Sequence, residues 1–266
     1  MILAPALRSD EDLALRVIGL NRSFGGLRAT SDVSFDVAEG SVTALIGPNG
    51  AGKTTLFNLV TNLFPPDSGQ VLFHGRPLTG LTPGRIAGLG LIRTFQSARV
   101  FPGMTVLENV LAGRHRLLRS GLVSSMLRLP ATRREERDLT ARAERLLDLV
   151  GLLQYRDVHA VELPMGAQKL LEVIRALMAQ PRMLLLDEPA AGLNDTETEE
   201  LAALLRAIRE SGITVLVVEH NMSLVMNVAD RLVVLEAGRL IAIGTSAEVQ
   251  ANPRVIAAYL GQEALA

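Results

Sequence analysis

Gly47-Pro48-Asn49-Gly50-Ala51-Gly52-Lys53-Thr54-Thr55 matches G-x-x-x-x-G-K-[ST], the pattern of a loop that wraps the phosphates of a nucleotide. The stretch before it, Val42-Thr43-Ala44-Leu45-Ile46, is short and apolar and suits a buried strand. The stretch after it, Thr54 to Leu59, continues as a helix. Gly47, Gly50 and Gly52 let the backbone bend so that successive N–H groups, including those of Pro48's neighbour Asn49 and of Ala51, converge on phosphate oxygens. The helix N-terminus adds a partial positive charge. Lys53 is expected to reach the β- and γ-phosphates, and the Thr54 hydroxyl to hold Mg²⁺, with Thr55 completing the motif. The expected ligand is a nucleoside triphosphate.

A second site element lies far downstream. Met183-Leu184-Leu185-Leu186-Asp187-Glu188-Pro189 is an apolar strand that ends in two carboxylates. Beside a phosphate loop, the first acid, Asp187, is suited to the Mg²⁺ shell, and the second, Glu188, to polarising the attacking water as a general base.

Bulk composition restricts the remaining options. With 266 residues the chain buries a substantial core. A formal net charge of -1 gives no electrostatic case for nucleic acid. The absence of cysteine excludes disulfides and thiolate metal sites. Met1 to Arg8 does not read as a signal peptide, and no uncharged apolar run is long enough to cross a bilayer.

Strands are expected at Leu13–Leu20, Val33–Val37, Gln70–His74, Met183–Leu186, Ile213–Val218 and Leu232–Leu235, with a turn at Pro65-Pro66-Asp67-Ser68-Gly69. Asn194 and Glu197 form a capping pair for a helix with Leu201, Leu204, Leu205 and Ile208 on one face. Asn252 and Pro253 are placed to start a last helix. Alternating strands and helices imply a mostly parallel α/β sheet. The middle, from about Thr105 to Met178, is helical in pattern, with Leu139, Ala143, Leu146, Leu147 and Val150 on one face.

Arg93-Thr94-Phe95-Gln96, Leu163-Pro164-Met165-Gly166-Ala167-Gln168-Lys169, Asp187-Glu188-Pro189, Ala190-Ala191-Gly192-Leu193-Asn194 and Val217-Val218-Glu219-His220 follow the loop in that order. In order and spacing the chain resembles the nucleotide-binding subunit of an ABC transporter over nearly its whole length. Phe24-Gly25-Gly26, Glu219-His220-Asn221-Met222 and Tyr259-Leu260-Gly261 are similar to the branched-chain amino-acid uptake type. The segment Arg114 to Arg134 fits the longer of the two ATPase subunits in those systems.

The resemblance implies a P-loop NTPase core with an antiparallel β subdomain and an inserted α-helical lobe at about 98–180, all within a single ABC nucleotide-binding domain spanning 1–266, with a helical tail at 245–266. It also implies roles. Phe24 stacks on adenine, the alternative being a core phenylalanine. Gln96 touches Mg²⁺ or the lytic water, His220 contacts the γ-phosphate, and Gly166 belongs to the segment that caps the nucleotide of the opposite subunit.

That signature segment departs from the family's Leu-Ser-Gly-Gly-Gln. Pro164 supplies neither the serine hydroxyl nor an N–H. Two readings follow. Either the site completed by this segment is weakened and the pair of sites is asymmetric, or Gly166 and the helix dipole suffice. The arginines at 114, 116, 119, 128, 133, 134 and 137 read as a solvated face or, with leucines interleaved, as a contact to membrane subunits or anionic headgroups.

The function implied is an ATP-hydrolysing subunit of an importer, using ATP and Mg²⁺ at a dimer interface to drive uptake of branched-chain amino acids. Alternatives are another cargo (an amide, urea or an exported lipid) or a soluble ABC ATPase acting on nucleic acid or ribosomes. Implied partners are a second ATP-binding subunit of different sequence, two membrane-spanning permease subunits and, indirectly, an extracytoplasmic substrate-binding protein, with no nucleic acid. The implied location is peripheral, at the cytoplasmic face of the inner membrane.

Overall fold

A computed structural model of the chain describes residues 12–94, 100–114 and 130–263. Gln96 and residues 115–129, which include Arg116, Arg119 and Arg128 of the basic stretch, lie outside the described residues.

The strands, in chain order, are β1 (Leu13–Phe24), β2 (Leu27–Ala38), β3 (Val42–Ile46), β4 (Ser68–Phe73), β5 (Arg76–Pro77), β6 (Leu91–Arg93), β7 (Met183–Asp187), β8 (Thr214–Val218), β9 (Arg231–Glu236) and β10 (Arg239–Gly244). The helices are α1 (Lys53–Val60), α2 (Pro83–Gly88), α3 (Val106–Ala112), α4 (Pro130–Leu149), α5 (Met165–Met178), α6 (Asp195–Glu210), α7 (Met222–Val228), α8 (Ser246–Gln250) and α9 (Pro253–Glu263).

These elements fall into two compact units. One runs to Arg93 and resumes at Arg182–Pro189 and from Leu205 onward; the other comprises Thr94–Pro181 and Ala190–Leu204. The first unit holds two sheets. A six-stranded sheet has the order β10-β9-β3-β8-β7-β6. Its pairs β9–β3, β3–β8, β8–β7 and β7–β6 are parallel and only β10–β9 is antiparallel. A four-stranded antiparallel sheet has the order β2-β1-β4-β5.

Burial explains the sequence patterns. All five residues of β3, β7 and β8 are buried, as strands of a parallel sheet covered on both faces require. Met183 and Leu185 of β7, and Leu216 and Val218 of β8, share a core cluster with Leu56, Phe57, Leu59 and Val60 of α1. Leu15, Val17 and Leu20 of β1 and Val33, Phe35 and Val37 of β2 close the same cluster. Helix α1 therefore packs in a core to which both sheets contribute, which fixes the loop at its head.

The second unit is helical. Within it α3 packs against α4 and α5, and α4 against α5. Thr105 and Glu108 form a reciprocal capping box at the start of α3. Gly113, after α3, lies so close to the Arg175 carbonyl that a Cβ would collide with it.

Three strands were not legible in the sequence. β6 is three residues long and β5 two, below the length at which alternation shows. β10 follows Ala237 and Gly238, both at positive φ, a tight hairpin after β9. β1 and β2 each extend to 12 residues, beyond the apolar stretches that announce them.

Leu45 is fully buried in β3, whereas Leu27 is 74% exposed. Leu45→Ala is expected to cost about 2–5 kcal/mol in chemical denaturation, and Leu27→Ala less than about 0.5 kcal/mol.

Candidate nucleotide site

The loop follows β3 directly, at the edge of the core. Gly47 is buried with φ 151°, and a Cβ there would collide with the Leu235 carbonyl of β9. Gly52 has φ 95°, and a Cβ would collide with the Ala29 carbonyl of β2. Gly50, at φ 78°, faces open space. The glycines thus serve different ends: Gly47 and Gly52 allow close backbone approach, and Gly50 supplies the turn. The loop is closed by Ala51 N–H to Pro48 O (3.1 Å) and tied to the β9–β10 hairpin by Gly238 N–H to Ala51 O (3.0 Å). Pro48 is half-buried, Asn49 is exposed and Ala51 is buried.

Helix α1 begins at Lys53 with Gly52 as its N-cap, and no side chain caps it. The first amide with an intrahelical acceptor is Leu56, bonded to Gly52 O at 2.9 Å. The N–H groups of Lys53, Thr54 and Thr55 therefore have neither an intrahelical acceptor nor a capping side chain. No acidic residue occupies the first turn. This is a donor set suited to an anion. Thr54 is exposed and Thr55 half-buried, so the Thr54 hydroxyl is accessible.

Lys53 is 8% exposed, and its Nζ donates to Gly47 O (2.6 Å) and Pro48 O (3.0 Å). Burial lowers its pKa below the usual lysine value, and the charge of Glu188 opposes that shift. An ammonium has three donors. Two are held on the loop's own carbonyls, which fixes the charge in place and leaves the third for a ligand.

Asp187 ends β7 at 3% exposure and accepts from Arg93 Nη2 at 2.8 Å. Glu188 follows with φ 49°, an uncommon conformation for a residue with a side chain, and its N–H donates to Val218 O at 2.9 Å. This strained backbone turns Glu188 out of the strand. No sequence signal reports it, nor the Arg93–Asp187 pair, which joins residues 94 positions apart.

Glu219, fully buried, accepts from the N–H groups of His220 (3.0 Å) and Asn221 (3.2 Å). His220 is exposed at the end of β8, and Asn221 caps α7 through Leu224 N–H. The turn that presents His220 is thus built by its neighbours.

Phe24 is 43% exposed, which excludes the core reading. Its ring meets Phe64 edge-on at 5.4 Å and lies 4.9 Å from the Arg22 guanidinium. It pairs with Leu27, two residues before the Ala29 whose carbonyl abuts Gly52. Tyr259 belongs to a terminal motif and to one face of α9. Burial raises its hydroxyl pKa, opposed by a hydrogen bond that its oxygen accepts from the Gly47 backbone, so the last helix touches the loop's first glycine.

In the helical unit, Pro164 is the N-cap of α5 and makes no side-chain cap bond. Gly166 is buried in the first turn, where a Cβ would collide with the Glu197 carboxylate. That carboxylate also accepts from Asn194 N–H (3.0 Å), and Asn194 Oδ1 from Glu197 N–H (3.0 Å), the reciprocal cap expected there.

Residues 30–191 match the family model described as ABC transporter, and residues 239–264 the model described as Branched-chain amino acid ATP-binding cassette transporter. The chain is 45% identical over 249 residues to the high-affinity branched-chain amino acid transport ATP-binding protein LivG of Salmonella typhimurium, covering 93% of this chain and 98% of the relative. It is 44% identical to BraF of Pseudomonas aeruginosa and 43% to LivG of Escherichia coli, with the same coverage. Among solved structures it resembles the ADP conformation of MJ1267, an ATP-binding cassette of an ABC transporter, with TM-score 0.80 and 33% identity over 94% of this chain and 99% of that one. A nucleotide-free ATP-binding cassette from an ABC transporter gives TM-score 0.78 and 33% identity over 93% and 98%.

Gly52→Ala is expected to weaken binding of a fluorescent ATP analogue by at least about 100-fold, since the added methyl meets backbone. Gly50→Ala, strained in φ alone, should weaken it by about 10-fold or less. A fluorescence titration of both variants checks the difference.

Proposed function

We propose, for a chain that belongs to the ABC transporter ATP-binding family, that it hydrolyses ATP in an importer of branched-chain amino acids. The observation that carries the chemistry is the uncapped head of α1 beside the preorganised Lys53 ammonium, in the same unit as Asp187 and Glu188. Relatives named for branched-chain amino acid transport support the cargo.

The backbone amides of Lys53, Thr54 and Thr55 and the Lys53 ammonium bind the β- and γ-phosphates, the Ala51 N–H being held by Pro48 O, and Phe24 offers a ring face to the adenine. The Thr54 hydroxyl and the Asp187 carboxylate are the protein oxygens that fit Mg²⁺. Mg²⁺ held by these oxygens together with the nucleotide would supply charge neutralisation at the phosphates. Glu188 accepts the proton of the attacking water, and His220 orients that water against the γ-phosphate. Gln96 is assigned to Mg²⁺ or the lytic water by the family resemblance alone. Gly166, heading α5, faces the nucleotide of a second ATP-binding subunit, a different chain.

No helix among the described residues is long and apolar enough to cross a membrane. The subunit works from the cytoplasmic face, bound to two permease subunits, and an extracytoplasmic binding protein delivers the cargo to them.

Two measurements test this reading. Glu188→Gln should keep ATP binding while hydrolysis falls by about 10²–10⁴-fold; unchanged hydrolysis removes Glu188 from the role. Tagged protein purified from gently solubilised membranes should bring polytopic subunits and a second ATPase chain, identified by mass spectrometry. Recovery with ribosomes or nucleic-acid enzymes instead would leave the ATPase chemistry standing and overturn transport.

A further inference from the structure

Arg93 has no part in the chemistry above, yet it makes the densest set of polar contacts at the carboxylate end of the site. Its Nη2 donates to Asp187 Oδ2 at 2.8 Å, and its Nη1 to Asn58 Oδ1 at 2.6 Å and Thr61 Oγ1 at 3.2 Å. The guanidinium carbon sits 5.5 Å from the centre of the Phe57 ring. Asn58, Thr61 and Phe57 lie on or directly after α1, the helix whose head forms the phosphate site. The side chains of Arg93 and Asp187 are 16% and 3% exposed, so solvent screens this pair little. Arg93 Nε is buried without a hydrogen-bond partner among the described residues. The terminal nitrogens of the fork thus carry its bonds to Asp187 and α1.

We infer that Arg93 is a positioning residue that shares the Asp187 carboxylate with the divalent cation, orienting that carboxylate against the phosphate-loop helix and lowering the site's affinity for metal. The inference rests on the assignment of Asp187 to the Mg²⁺ shell. Two cationic groups on one carboxylate repel each other, and in a poorly hydrated site that repulsion is large. Arg93 therefore tunes the metal to bind in company with the nucleotide phosphates rather than on Asp187 alone.

The test uses the full-length protein with saturating ADP and follows its thermal unfolding midpoint as Mg²⁺ is titrated. This reads metal affinity without turnover. In Arg93→Gln the half-maximal Mg²⁺ concentration should fall about ten-fold, the loss of one neighbouring positive charge. Arg93→Met, which packs beside Phe57 without charge, should give the same shift and serves if the glutamine variant does not fold. Arg93→Lys keeps the charge and should stay within about three-fold of the parent. Unchanged or weaker metal dependence in both neutral variants overturns the inference and leaves Arg93 a packing residue. Asp187→Asn separates the premise from the inference. It should raise the half-maximal concentration by more than about ten-fold, and if it does not, Asp187 is not the metal carboxylate and the role of Arg93 falls with it.

Discussion

The site depends on one buried ammonium. Lys53 Nζ is held by the carbonyl oxygens of Gly47 and Pro48, inside the loop it belongs to. A charge this enclosed is costly, and burial lowers its pKa. Its position is bearable because the loop carbonyls and the charge of Glu188 compensate. Those carbonyls reach it only because the backbone runs against Leu235 and Ala29 with no room for a side chain at Gly47 or Gly52. The contact surfaces belong to β9 and β2, one from each sheet of the first unit. Both sheets are thus required to shape nine residues of loop.

Charge pairing then divides the site. Lys53 is matched to Glu188, and Arg93 to Asp187. The adjacent carboxylates at the end of β7 meet different cations, and the turn at Glu188, where φ is 49°, ends the strand alternation that would otherwise set their directions. The turn keeps Asp187 buried at 3% exposure while Glu188 reaches half-buried surroundings. That difference suits the roles proposed for them, a metal ligand held in place and a general base in reach of water.

Local features were legible in the sequence and tertiary ones were not. The loop and the Asn194–Glu197 cap are legible because hydrogen bonds within a few positions set them, and the β7 carboxylates because they end an apolar run. Strand β3 followed from its short apolar run, and helix α1 from its place directly after the phosphate-loop motif. β6 and β5 were too short to show a period, and β10 is announced only by the turn at Ala237 and Gly238. The Arg93–Asp187 pair and the contact of Tyr259 with Gly47 join distant segments, and nothing in either segment signals its partner. Phe24 shows a different limit. An aromatic in an alternating strand reads equally as core or as surface, and only its 43% exposure decides.

The most direct test is the distance from Lys53 Nζ to the phosphate oxygens in a crystal structure of the full chain carrying Glu188→Gln, grown with ATP and Mg²⁺. A preorganised ammonium should keep a loop carbonyl and place its remaining donor within about 3 Å of a β- or γ-phosphate oxygen. Nucleotide bound elsewhere, or phosphates in the loop with Lys53 Nζ farther than about 4 Å from every phosphate oxygen, would contradict the phosphate grip on which the rest of the site depends.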